Sequence, residues 1–143
     1  MSRLSFDVLC LILSGWIVAS LNSYPDIAEQ MEKQLAGTHG REWVLKAFTS
    51  YLGPGDKCKE GESYRFKTDH TVTISRCING EIHDETETWL IESDQLETRL
   101  TVGSAHYILK FSDKGKAHFM TLRKKATTKT ERTEDKKFRL AED

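Results

Sequence analysis

Between Glu62 and Ile78 the chain alternates twice. Tyr64 and Phe66 are interleaved with Ser63, Arg65 and Lys67, and Val72 and Ile74 with Thr71, Thr73 and Ser75. Side chains of a strand change face at every residue, so each arm carries one apolar face. The two faces coincide only when opposed residue numbers have an even sum, which pairs Phe66 with Val72 and Tyr64 with Ile74. The loop is then Thr68-Asp69-His70, with His70 at the position where such loops turn left-handed. Histidine is among the residues enriched at positive φ. A two-residue loop would set Phe66 opposite Thr73 and turn half of the apolar set to water. The same register puts Cys77 opposite Gly61, with Cys58 just beyond the start of the first arm. A Cys58–Cys77 disulfide would clamp the open end of this hairpin; the alternative is two free, buried thiols.

The pattern extends in both directions. Ile27, Met31 and Leu35, with Ala28, share one helical face between Pro25 and Gly37. Arg41 to Leu52 is rich in aromatic and β-branched residues and reads as a strand, closed by the turn signal Gly53-Pro54-Gly55-Asp56. Asn79-Gly80 is a two-residue hairpin signal, but Ile82 and His83 point to a looser loop. A fourth strand follows at Glu85–Glu92, with Trp89 and Ile91 on one face. Leu96, Thr98, Leu100 and Val102 alternate in a fifth, Tyr107, Leu109 and Phe111 in a sixth, and His118, Met120 and Leu122 in a seventh. Phe138 and Leu140 form an eighth after the polar stretch Ala126–Glu134. Links of hairpin length make sequence neighbours sheet neighbours. The expected fold is mainly β: an antiparallel up-and-down meander of about eight strands, closed as a barrel to hide its edges, with a short N-terminal helix. Tyr64, Phe66, Val72, Ile74, Trp89, Ile91, Leu100, Tyr107, Leu109 and Leu122 are expected to face inward.

Length and charge narrow the class. At 143 residues with a net charge of -1, one domain is expected and nucleic acid is disfavoured as a partner. The apolar stretch from Val8 to Val18, behind Arg3 and ahead of Val18-Ala19-Ser20, has the length of a signal-peptide core. The chain is therefore divided into a signal peptide at 1–23, cleaved near 20–23, and a single barrel domain at 24–143. A secreted or periplasmic location follows, with an uncleaved N-terminal anchor or a buried helix as the alternatives. The mature chain then has no membrane span. Of the three cysteines, Cys10 falls in the segment removed.

The helix followed by Gly37-Thr38-His39-Gly40-Arg41-Glu42-Trp43, the hairpin Tyr64–Ile74, Thr88-Trp89-Leu90-Ile91 and the turn Asp94-Gln95-Leu96 resemble the lipocalin-like, calycin-type small barrels of exported proteins. In that group a Gly-x-Trp opens the first strand, and an Arg of the last strand covers the Trp at the barrel base. The resemblance assigns those parts to Trp43 and Arg139, although two residues separate Gly40 from Trp43 here.

No specific catalytic constellation or metal knuckle is present in the sequence, so no catalytic residue, metal ligand or cofactor is assigned. His39, His70, His83, His106 and His118 are scattered. Glu81, His83, Asp84, Glu85 and Glu87 form an acidic cluster, expected in a solvated loop. Arg123, Lys124, Lys125, Lys129, Arg132, Lys136 and Lys137 form a basic stretch diluted by Glu131, Glu134 and Asp135. The expected function is non-catalytic binding of a small apolar ligand inside the barrel, lined by Tyr64, Phe66, Trp89 and Tyr107. The alternative is an exported protein-interaction module, such as an inhibitor or envelope stress factor, that acts through its loops.

Overall fold

The computed structural model describes residues 26–49, 55, 57–94, 96–124 and 128–142. The expected signal segment, Cys10, Pro25, Lys125 and most of the Gly53–Asp56 turn lie outside the described residues.

Helix α1 (Ile27–Ala36) starts at Asp26, whose Oδ1 accepts the Ala28 N–H at 3.2 Å. Gly37 ends it at φ 62°, donating its N–H to the Lys33 carbonyl at 2.9 Å. Its apolar stripe is buried at the C-terminal end, at Leu35 and Ala36; Ala28 and Met31 pack partly buried against the core, and Ile27 stays half-exposed.

Eight strands follow: β1 (Arg41–Thr49), β2 (Glu60–Phe66), β3 (Thr71–Ile78), β4 (Glu81–Ser93), β5 (Thr98–Val102), β6 (Ala105–Lys114), β7 (Ala117–Lys124) and β8 (Glu134–Leu140). They close into an antiparallel barrel in sequence order. The closing seam is the thinnest. β8 meets β1 only at Trp43 opposite Leu140 and Val44 opposite Arg139, with one more bond from the Ala141 N–H to the Glu42 carbonyl at 2.9 Å. Register shifts after Val44 and after Lys46 bend the rest of β1.

The first hairpin has the expected register, Phe66 opposite Val72 and Tyr64 opposite Ile74, with His70 at φ 63°. Asp69 holds the turn by accepting the Thr71 N–H and hydroxyl at 3.0 and 2.6 Å. The next turn differs from the expected looser loop. Asn79 and Gly80 take φ 54° and 81°, and Ile78 faces Glu81 across a two-residue connection. Both positive angles match the turn whose twist suits flanking strands. Ile82 does not open the loop, because its side chain stands half-exposed on the outer face. The acidic run Glu81–Glu87 is consequently strand, not loop.

Leu96 is a second correction. Asp94 accepts the N–H groups of Leu96 and Glu97 at 2.8 and 3.0 Å, and this turn delays β5 until Thr98 and leaves Leu96 95% exposed. His118 also ends exposed at the mouth of its hairpin, bonded to Asp113 at 2.7 Å. The inward set otherwise packs as expected, except that Tyr107 is only half-buried.

At the far end of the first hairpin Cys58 and Cys77 are joined in a disulfide with Cα atoms 6.0 Å apart. The bridged residues lie 19 apart in sequence, which in the chain-entropy model stabilises by about 3 kcal/mol. Reduction, or Cys58→Ser with Cys77→Ser, should lower the unfolding free energy by about that amount; an unchanged urea midpoint would contradict the clamp. Gly61, at φ 151°, lies directly under the Phe48 ring, which a Cβ there would strike. Gly61→Ala is therefore expected to destabilise and to displace Phe48.

Candidate functional site

Strand direction sorts the loops into two ends. The α1 end holds the β2–β3 turn, since Glu32 of α1 reaches His70 at 3.4 Å. In an up-and-down barrel the β1–β2, β3–β4, β5–β6 and β7–β8 links then share the opposite end. That rim carries the disulfide. The N–H groups of Lys57 and Cys58 both point to the Gly80 carbonyl, at 2.8 and 3.3 Å, so the end of the β1–β2 link is tied to the β3–β4 turn twice.

Between the two ends the interior is filled. Phe66, Val72, Leu100, Met120 and Phe138 expose 0% of their surface. A water-sized void beside any of them would leave exposed area on its wall. Tyr64 meets Phe138 at 4.9 Å between centroids, and Phe66 meets Trp89 edge-on at 5.9 Å. Of the four aromatics expected to line a pocket, Tyr64, Phe66 and Trp89 thus pack into this core, and Tyr107 sits half-buried beside it. The Trp89 indole N–H is shared between the carbonyls of Lys67 and Thr71, at 3.1 and 3.0 Å, which anchors the ring under the β2–β3 turn.

Above the core, toward the rim, the inward positions turn polar. Arg76 donates to Glu62 Oε1 at 3.1 Å, to Glu85 Oε2 at 3.3 Å and to the Tyr64 hydroxyl at 3.4 Å. Lys136 adds a weaker approach to Glu62 at 4.0 Å. Burial pushes the Tyr64 hydroxyl up to about 12, with the Glu62 charge acting in the same direction. Burial also raises Tyr107. For Arg76 burial works the other way, but the oxygens of Tyr64 and Glu62 outweigh it and the guanidinium pKa is raised. These groups satisfy one another: among the described residues no buried side-chain nitrogen or oxygen lacks a partner. The layer is not evident from the sequence, where Glu62, Arg76 and Lys136 look like ordinary surface charges on alternating strands. The available signal was parity: each is two residues from an inward aromatic or aliphatic side chain.

At the other end, Trp43 is buried and gives its indole N–H to the Leu35 carbonyl at 2.9 Å, pinning the end of α1 to the barrel base. Phe111 packs on it at 5.6 Å. Arg139 is not brought over Trp43. It lies on the outer face of β8, half-exposed and paired with Glu142 at 2.7 Å. Its neighbour Phe138 takes the inward direction, and side chains alternate. At this end Arg41 reaches the helix, donating to the Gln34 carbonyl of α1 at 2.8 Å.

The remaining charges do not converge. His106 bonds Thr101 and His118 bonds Asp113, at opposite ends of the β6–β7 hairpin. Among the described residues no three His, Cys, Asp or Glu side chains come together to hold a metal. The basic stretch is dispersed. Arg123 grips Asp135 with two bonds of 2.7 Å, Lys136 turns inward, and Lys137 lies 4.5 Å over the Phe119 ring. Compared with protein-family models, with curated proteins and with solved structures, the chain matches none significantly.

Two measurements probe the polar layer. Unfolding exposes Tyr64, whose hydroxyl then ionises near 10, whereas the folded hydroxyl holds its proton to about 12. The contribution of this raised pKa is fully present below pH 10 and is lost as pH rises toward 12. Tyr64→Phe should flatten the alkaline fall in the urea midpoint, and an identical fall in both proteins would rule this out. Arg76→Met should cost about 1–2 kcal/mol by leaving Glu62 without its main partner. Arg76→Lys should recover only part, since one ammonium does not span three acceptors.

Proposed function

We propose that this barrel is an exported, non-catalytic protein-interaction module that binds through its outer surface at the disulfide-bearing rim. The observation that carries the reading is the filled interior: residues suited to line an apolar pocket pack against one another and leave no water-sized space beside Phe66, Leu100 or Met120. A carrier needs such a space to enclose its ligand.

Three further observations support the reading. The Cys58–Cys77 disulfide suits an oxidising compartment, in agreement with the interpretation of residues 1–23 as an export signal. The rim is stiffened by the disulfide and the double bond to Gly80, so little order is left to be gained on binding. The charged layer at the rim is paired through Arg76, and the raised pKa of Tyr64, about 12, suits neither a general acid nor a base at neutral pH. The closed barrel, with Trp43 at its base, also supports the lipocalin-like description of the fold.

The test uses chain purified from the exported fraction of its own host. Native mass spectrometry is expected to give a mass starting within residues 21–24, two hydrogens lighter than the reduced chain and free of small molecules. Affinity capture from the same fraction is expected to retain a stoichiometric protein partner. A lipid or other apolar molecule released on denaturation would restore the carrier reading, and a capture that retains no protein would remove the module reading.

A further inference from the structure

β4 is longer than its neighbour. β3 pairs with it along Glu81–Thr88, but β5 reaches only Trp89–Ser93. Two bonds show which way its backbone groups point. The Trp89 N–H goes to the His70 carbonyl at 2.8 Å, on the β3 side. The Thr88 carbonyl accepts the Gly103 N–H at 2.8 Å, on the β5 side. In an antiparallel ladder the direction alternates by residue. The N–H and C=O groups of Ile82, Asp84 and Thr86 therefore point away from β3. Beyond Gly103 the wall on that side has turned back into β6, and among the described residues nothing bonds to these three. This is an open sheet edge on a hairpin that the disulfide and the Gly80 carbonyl hold rigid.

An open edge pairs with whatever strand fits it. A second copy fits badly. Antiparallel pairing of two β4 edges centred on Asp84 sets Asp84 against Asp84, with Glu81, Glu85 and Glu87 crowded on both sides, and like charges directly opposed destabilise a ladder. The same charges favour a cation. Glu81 and Glu87 have no cationic partner among the described residues, and Asp84 accepts only the Ser75 hydroxyl at 2.6 Å. On the outer face Ile82 is 49% exposed and opposes disulfide-bonded Cys77.

We propose that the free edge of β4 between Ile82 and Thr86 takes an extended, Lys- or Arg-bearing segment of a partner protein as an added strand. An apolar side chain of that segment lies against Ile82, and a basic one stands opposite Asp84. The proposal rests on the interaction-module reading and names the surface and the chemistry of the partner.

The probe is the short peptide Val-Thr-Lys-Thr-Val, whose Val and Lys share one face two residues apart as Ile82 and Asp84 do, with the Glu-for-Lys peptide and a backbone N-methylated Lys peptide as controls. Amide correlation spectra of the full chain are expected to shift at Ile82, Asp84, Thr86 and their neighbours, and those amides should gain protection from exchange. N-methylation of the peptide should weaken binding at least about tenfold through its lost ladder bonds. Thr86→Pro should do the same, because the Thr86 N–H serves no bond in the fold and a proline is tolerated at a free edge. Asp84→Lys keeps the edge but should reverse the preference between the Lys and Glu peptides. The proposal is overturned by shifts confined elsewhere, by equal binding of both peptides, by no shift at millimolar peptide, or by a dimer of the free chain that Thr86→Pro abolishes. The two readings separate cleanly. A partner captured equally by wild type and Thr86→Pro defeats the edge and leaves the module, whereas peptide docking with no captured partner defeats the module and leaves the edge.

Discussion

Inward side chains from eight strands converge on one axis, and in this barrel they are large enough to close it. Phe66, Phe138, Leu100 and Met120 leave no solvent-accessible gap against their neighbours, and Tyr64 and Trp89 are buried against them. A barrel of this strand number can be solid or can hold one small guest, and side-chain volume decides which. Here the volume is spent on packing. Binding then falls to the surface, and the rigidity of the barrel becomes a means of presenting its rim.

The two ends are finished differently. At the base, two indole N–H groups act as ties: Trp43 to the last turn of α1, and Trp89 to the β2–β3 turn. Each places a large apolar body in the core and its single donor on backbone carbonyl oxygen, of Leu35 for Trp43 and of Lys67 and Thr71 for Trp89. At the rim no helix among the described residues covers the barrel, and a charged layer centred on Arg76 takes over. Arg76 can stand there because it bridges Glu62, Glu85 and Tyr64 together, which offsets the cost of its partial burial. The β3–β4 hairpin rises beside this layer past the β5–β6 turn, and its outer edge is left unpaired.

Much of this was legible in the chain. The Tyr64–Ile74 hairpin, its register and the left-handed His70 followed from parity, because a one-residue slip would have exposed Phe66 or Val72. The same register brings Cys58 and Cys77 to the open end of the hairpin, where the structure joins them. The errors have a common cause. Ile82 was weighed as a hydrophobic residue out of place, yet its exposure costs little and the Asn79-Gly80 turn decided the local geometry. Leu96 matched the alternation of β5, but the Asp94 turn withdrew it. Arg139 was assigned over Trp43 by resemblance, while Phe138 beside it held the inward direction.

Alternation and turn chemistry act between residues close in sequence, so the sequence alone determined the strands, most of their faces, the meander and the register that brings Cys58 near Cys77. Whether the interior is solid depends on how eight inward faces meet at the axis, which is a property of volumes from opposite walls. The Arg76 layer and the open edge of β4 depend on where unequal strands end relative to one another around the ring. Those are distances between parts of the chain far apart in sequence, and only closure of the barrel determines them.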